Sequence, residues 1–418
     1  MTLSPSAKAS STSYLEKFYN GPHLKRFAFP GALIWGVGAR SEVANLLADA
    51  VVVDAYVDAH FASHPLVDEL LAPLGGRVRR RVVVAGEPRT QAVIADSRAF
   101  ASPDSVVAIG GGSTIDFSKA VICARLYGRI DGVGMGASRG LDALPDAPRP
   151  VFVAVPTTAG TGADTSRYYV TYDTETKAKV HGKSWRLVAD WSVLDPAFLR
   201  DCPESLLVAS AFDAFVHLFE SMVCRSEQSW FARMLSLDVI PRLIAALDAA
   251  VRRGERTDDA HLQLLYAASV GGMAISNVRT GNIHEAAGAL LEATTLSHPE
   301  TLAVFFASAY EQYAEATADL CGLLATRVEA AAPNAGIATM GDLIAWWTDR
   351  FRDSGALDRI HDQLAALRNC RTDLEARIFD RVWSDRVWVE KESPVTLSKA
   401  DVRAFIVRGL EGHGFADD

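Results

Sequence analysis

The chain has 418 residues, 49% of them hydrophobic and 22% charged, which is the composition of an ordinary folded protein with length for two substantial cores. Its 51 acidic against 42 basic side chains leave a formal net charge of -9, which argues against a general nucleic-acid binder and for a small-molecule substrate. No uninterrupted apolar run approaches the ~18 residues of a membrane helix, and five scattered cysteines without a CxxC pair fit reduced thiols in a cytoplasmic protein.

The opening MTLSPSAKASSTSYLEKF is rich in serine and lacks the apolar stretch of a secretory signal, so residues 1–24 read as a flexible segment. Beyond it, Val51-Val52-Val53, Val82-Val83-Val84, Val106-Val107-Ala108-Ile109 and Val151-Phe152-Val153-Ala154-Val155 are continuous and mostly β-branched. Such runs suit strands buried on both faces of a parallel sheet, and the stretches Ser41 to Ala48 and Ser113 to Leu126 between them read as helices. Asp54 follows the first run directly. A carboxylate at a strand end there would bind ribose hydroxyls and repel a 2′-phosphate; an ordinary solvated loop aspartate is the alternative.

Gly110-Gly111-Gly112 follow the third run, and Ser113 and Asp116 have the spacing of a capping box at the start of the next helix. Glycines let the backbone approach a phosphate, and the free N–H groups of a helix start bind its charge. This is not the GxGxxG fingerprint, and a tight turn without a ligand is the alternative. A second small, polar loop, Pro156-Thr157-Thr158-Ala159-Gly160-Thr161-Gly162-Ala163-Asp164, follows the fourth run and reads equally as a cofactor-binding loop or a polar turn.

After Asp195-Pro196 the pattern turns to long Ala/Leu-rich helices, with Pro203 and Glu204 suited to a first helical turn. The predicted architecture is an α/β domain with a parallel, Rossmann-like sheet over 25–200, followed by an all-α domain over 201–418. Within the second, Asp213 and His217 are spaced i, i+4, which puts both on one helix face. His284 and His298 follow, fourteen residues apart. Singly, each histidine reads as structural. Together the four offer one carboxylate and three imidazoles, a set suited to Fe2+ or Zn2+ with a position open for a substrate oxygen.

These pieces, in this order from about Phe27 to about Gly409, resemble the iron-containing (group III) alcohol dehydrogenases of the dehydroquinate synthase-like fold. The resemblance rests on Gly110-Gly111-Gly112-Ser113 with Asp116 and Lys119, Pro156 to Gly162, Asp195-Pro196, Asp213-x3-His217 and the His284/His298 pair. It implies that Asp213, His217, His284 and His298 hold the metal. It also implies NAD contacts from Asp54, Gly111, Gly112, Ser113, Thr157, Thr158, Thr161, Val170 and Lys179, with cofactor and metal in a cleft between the domains. The implied activity is hydride transfer between NAD(H) and an alcohol and its aldehyde or ketone, on a small molecule or a peptide intermediate, in a biosynthetic or specialised pathway. A cytoplasmic homodimer, bound to neither nucleic acid nor membrane, completes that expectation. An NAD- and metal-dependent lyase or cyclase of dehydroquinate synthase type, and a non-catalytic binding protein of the same fold, are the alternatives.

The chain departs from the family at Gly288, where a proton-passing histidine often stands, at Ala163-Asp164, where serine and glutamate are usual, and at Pro299, where glycine is usual. Arg279, five residues before His284, and Arg167, just after the second loop, are cations that would select an anionic substrate if they faced the metal. Pairing of Arg279 with a nearby acid is the alternative, and the five-residue spacing turns it well off the His284 face.

Overall fold

Alternation inside the valine runs sets the first layer. In strand β4 (Ser105–Gly110), Val106 and Ala108 pack into one apolar cluster and Val107 and Ile109 into another. In β5 (Val151–Pro156), Phe152 and Ala154 share the first cluster and Val153 and Val155 the second. Each strand is therefore covered on both faces, as a parallel sheet flanked by helices requires. The structure is a computed structural model that describes residues 27–99, 103–127, 148–176, 178–226 and 229–412; the segment 1–24 lies outside the described residues.

Among the described residues, β1 (Ala32–Trp35), β2 (Val53–Asp58), β3 (Val78–Val84), β4, β5 and β8 (Trp191–Leu194) form one six-stranded sheet. Its order is β1-β8-β5-β4-β2-β3, with every pairing parallel. A separate antiparallel hairpin joins β6 (Tyr168–Asp173) to β7 (Ala178–Lys183). Helices α1 (Val43–Leu46), α2 (Pro65–Leu71), α3 (Thr90–Ala99) and α4 (Gly112–Tyr127) complete this half. The edge strand β3 carries Arg79, Arg80 and Arg81 in succession.

The chain divides into two compact units, one up to Asp201 and one from Cys202. In the described residues of the second unit the elements are helical: α5 (Glu204–Val223), α6 (Ser229–Leu247), α7 (Asp258–Val278), α8 (Asn282–Leu291) and α9 (His298–Tyr313). They continue as α10 (Ala318–Ala331), α11 (Met340–Asp353), α12 (Ala356–Ala366), α13 (Arg371–Ser384) and α14 (Lys399–Leu410). Helix α5 is long and apolar enough to cross a membrane, yet 89% of its apolar window is buried inside the protein. Its Phe212 and Phe215 pack edge-on and tilted against Phe306 of α9 and Trp347 of α11, forming an aromatic core on one side of the helix. The predicted fold class, a parallel α/β half and a helical half, is what the chain adopts.

Two local expectations need correction. The first valine run is not a strand: Val51 is exposed and β2 begins at Val53, so Asp54 stands at the amino end of its strand. The Ser113/Asp116 capping box does not form either. Helix α4 already starts at Gly112, and the Asp116 carboxylate instead accepts from the Val170 N–H of β6 at 3.0 Å.

Candidate functional site

Three side chains of the helical unit lie along one stripe of α5, at Asp213, His217 and Glu220, with the i, i+4, i+7 spacing that keeps residues on one face. His284 comes from the first turn of α8 and His298 is the first residue of α9. The atoms that meet are Asp213 Oδ1 and three imidazole Nε2 atoms. His217 Nε2 lies 3.8 Å from that oxygen, His284 Nε2 3.9 Å and His298 Nε2 3.7 Å. The His217 and His284 rings are stacked, with centroids 4.7 Å apart, and His298 leans on His284. Asp213, His217 and His284 hold their ligand-type atoms within 4.8 Å of one another. His298, with 35% of its side chain exposed, closes the group on the solvent side.

Asp213 Oδ1 and His284 Nε2 are buried without a hydrogen-bond partner. A buried carboxylate oxygen ringed by nitrogens that do not donate to it is costly, and a cation placed among these atoms would remove the cost. Burial, reinforced by neighbouring His217, pushes the His284 imidazole down to about 3, so the ring is neutral near physiological pH. The donor set of one carboxylate and three imidazoles therefore fits a divalent transition metal.

The local sequence explains how each ligand is delivered. Glu300 accepts from Ser297 N and Ser297 Oγ, both at 2.7 Å, and so fixes the entry into α9 just before His298. Pro299 falls in the first turn of that helix, where a missing N–H costs nothing. Glu220, fully buried, accepts from two backbone donors at the start of α8, Gly281 N at 2.8 Å and Ile283 N at 2.9 Å, and is hydrogen-bonded to Nδ1 of the His284 ring at 2.6 Å. Burial pushes the Glu220 carboxyl up to about 7 against the opposing pull of the Gly281 and Ile283 N–H groups. Sequence reasoning passed over Glu220, although its place seven residues after Asp213 was the available signal.

Arg279 does not face these atoms. It ends α7 with φ 82°, the one positive φ outside glycine among the described residues, and pairs with Asp385 and with Glu392 at 3.6 Å. Arg167 is likewise committed, buried with its guanidinium over the Trp185 ring at 5.0 Å. Gly288 leaves space that Arg381 fills: a Cβ there would stand 2.8 Å from Arg381 Nη2. That arginine is anchored to Glu285 at 3.1 Å and Glu292 at 2.8 Å.

In the α/β unit a second cluster gathers at the carboxyl ends of β2, β4 and β5. Thr157 N donates to Gly110 O at 3.1 Å, which ties the two loops together. A Cβ on Gly111 would meet Thr158 Oγ1 at 3.0 Å, and one on Gly112 would meet Thr161 Cγ2 at 2.6 Å. Gly111, Gly112, Thr158 and Thr161 thus pack closely into one surface, and Ser113 is the second residue of the helix beside it. Val170 and Lys179 sit on the β6–β7 hairpin, where Lys179 pairs with Glu87 at 3.3 Å. Lys119 of α4 anchors the same hairpin by donating to Ser166 O at 2.6 Å and Tyr168 O at 2.9 Å.

Asp54 is not part of this cluster. It is fully buried at the far end of β2, and Arg79 and Arg80 occupy its two oxygens at 2.6 to 3.2 Å. The carboxylate at the carboxyl end of β2 is Asp58, whose Cβ would lie 2.9 Å from a Cβ on Gly110 and which sequence reasoning missed. The signal for it was a second aspartate four residues on, once Asp54 is read as part of the strand.

This pairing of a helical Asp/His cluster with a glycine loop on a parallel sheet belongs to a known group. Residues 30–196 match the iron-containing alcohol dehydrogenases, and residues 207–366 match the C-terminal region of that family. The chain belongs to the iron-containing alcohol dehydrogenase family. It is 30% identical over 189 residues to the 1,3-propanediol dehydrogenase of Klebsiella pneumoniae, an alignment covering 43% of this chain and 45% of that one. The chain thus spans under half the length of that relative. With the NAD-dependent methanol dehydrogenase of Bacillus methanolicus it shares 27% identity over 272 residues, 62% of this chain and 68% of that one. Among solved structures, the iron-containing alcohol dehydrogenase of Thermococcus thioreducens has the same fold, with a TM-score of 0.77 at 20% identity over 93% of this chain and 100% of that one.

Proposed function

We propose that this chain is a metal-dependent oxidoreductase that transfers hydride between NAD(H) and an alcohol and its aldehyde or ketone, with Asp213, His217, His284 and His298 as the metal ligands. The observation that carries the reading is the buried, unpartnered Asp213 Oδ1 with three imidazole Nε2 atoms 3.7 to 3.9 Å away. When bound, Fe2+ or Zn2+ supplies Lewis acidity to the substrate oxygen, and nicotinamide supplies or accepts the hydride.

The chain's own residues supply position and charge. Asp213 brings the one formal negative charge among the four ligands, and the burial of His284 keeps that ring available as a neutral donor. The half-exposed His298 leaves the solvent side as the direction of substrate entry. Gly111, Gly112, Ser113, Thr157, Thr158 and Thr161 present close backbone and hydroxyl groups for a pyrophosphate, and Val170 and Lys179 flank them on the hairpin. Asp58 takes over the ribose role expected of Asp54, because it stands beside Gly110 at the carboxyl end of its strand.

Metal analysis of purified protein, joined to NADH absorbance with a panel of neutral and anionic aldehydes, tests the reading. One equivalent of metal and metal-dependent NADH consumption are expected, both lost in Asp213→Asn. Full activity in a metal-free preparation would overturn it.

A further inference from the structure

We propose that Glu220 is a positioning residue for the metal centre: it holds His284 as the Nδ1–H tautomer, so that Nε2 offers its lone pair, and it fixes the turn that carries the ring. The inference rests on the ligand assignment above and extends it to a residue that binds no metal itself.

Two observations fix the direction of the proton. The first concerns Glu220, whose Oε1 accepts from Ile283 N at 2.9 Å and whose Oε2 accepts from Gly281 N at 2.8 Å. Backbone N–H groups can only donate, so both carboxylate oxygens serve as acceptors. The 2.6 Å contact between Oε2 and His284 Nδ1 is a third bond, in which an ionised Glu220 has no hydrogen to give and the ring is the donor. The second concerns the opposite edge of the ring. If Nε2 carried the hydrogen, Asp213 Oδ1 would be its natural acceptor, yet the two stand 3.9 Å apart, beyond hydrogen-bond reach, and both lack any partner. A bare Nε2 facing a bare carboxylate oxygen is the arrangement that a shared cation joins.

The same carboxylate reaches across from α5 to the start of α8. Gly281, the residue before that helix, has no side chain to cap it, and Glu220 satisfies the N–H groups of Gly281 and Ile283 in its place. Ring orientation and backbone position are therefore set by one buried group. A glutamine cannot replace it, because its single carbonyl oxygen can serve only one of the two sides that need an acceptor.

The test compares the full-length wild type with Glu220→Gln and Asp213→Asn, each stripped with a chelator and titrated with Zn2+ in competition with a chromophoric chelator. Wild type is expected to take up one equivalent, Asp213→Asn to lose it, and Glu220→Gln to bind about 10- to 100-fold more weakly, as is usual when the partner of a metal-bound histidine is removed. In parallel, 15N NMR of the metal-free wild type, with His284→Gln for assignment, is expected to place the ring proton on Nδ1.

Equal Zn2+ affinity in Glu220→Gln and wild type, with Asp213→Asn defective, overturns the role of Glu220 and leaves the ligand assignment standing. Wild type that binds no Zn2+ overturns the ligand assignment and this role with it. If Glu220→Gln does not fold, the wild-type spectrum decides: a proton on Nε2 of His284 overturns the proposal.

Discussion

Asp58 and Gly281 show how single positions govern the two clusters. Asp58 also accepts from His60 N at 2.9 Å, so Asp58→Asn keeps that local cap while removing the charge. Loss of the carboxylate is expected to lower the preference for NAD over NADP by about tenfold, the equivalent of ~1.4 kcal/mol. Kinetics with both cofactors would check it, and an unchanged ratio would return Asp58 to a purely local role. Gly281 lies against Trp388, and a Cβ there would stand 2.2 Å from the indole Cζ2. Trp388 is itself buried and cannot swing away, so Gly281→Ala should cost about 1–3 kcal/mol through overpacking, read in denaturant unfolding. Asp213 and His217 were legible beforehand because i, i+4 spacing on a helix has one geometric meaning, whereas His284 and His298, on two other helices, stood out only as a pair and through the family resemblance. Asp58 was not, since a polar residue inside a strand looks like the end of one. Asp54 breaks the valine run only because Arg79 and Arg80 from the neighbouring strand neutralise it.

At the scale of elements, the helix starts of the second unit rely on side chains reaching back to the backbone. Helix α11 begins with Thr339 and Asp342, whose carboxylate accepts from Thr339 Oγ1 and Thr339 N, both at 2.8 Å. Those bonds, the threonine hydroxyl first, hold the Asp342 carboxyl below its ordinary range. A folded-state value below the unfolded one means stabilisation that is present above the ordinary carboxylate range and lost as pH falls through the folded value. Thermal unfolding against pH should therefore show a shallower acid limb in Asp342→Asn than in wild type. Identical limbs would mean that the cap adds no pH-dependent stability. Strands buried on both faces and long Ala/Leu helices were visible in composition and period. The β6–β7 hairpin and β8 were not, because Tyr168–Asp173, Ala178–Lys183 and Trp191–Leu194 mix polar and aromatic residues without a β-branched run. The strained turn at Arg279 was equally hidden: it depends on Asp385 and Glu392, more than a hundred residues further along the chain.

Across the whole molecule, the two kinds of chemistry are segregated by unit. All four proposed metal ligands and Glu220 lie beyond Cys202, whereas both glycine-bearing loops lie before Asp201. Binding stabilises only the structure that forms the site, so Zn2+ at about 100 times its Kd should add ~2.7 kcal/mol to the helical unit. Calorimetry with Zn2+ or NAD alone would check this, since the metal should raise the transition of the helical unit and the nucleotide that of the α/β unit. A metal that moved only the transition of the α/β unit would contradict the ligand assignment.

The arginines of β3 bear on how the protein behaves at high concentration. An open sheet edge is a template on which another chain can lay a strand, and repeated addition leads to insoluble polymers. Here the incoming strand would have to strip water from Arg81, which pairs with Asp68 at 2.8 Å while remaining partly exposed. A charged Arg81 at that margin is therefore expected to oppose polymer growth. Arg81→Val, which leaves the Asp54 pairs in place, is expected to shorten the lag before light scattering rises in warmed, concentrated solution, without altering Zn2+ uptake.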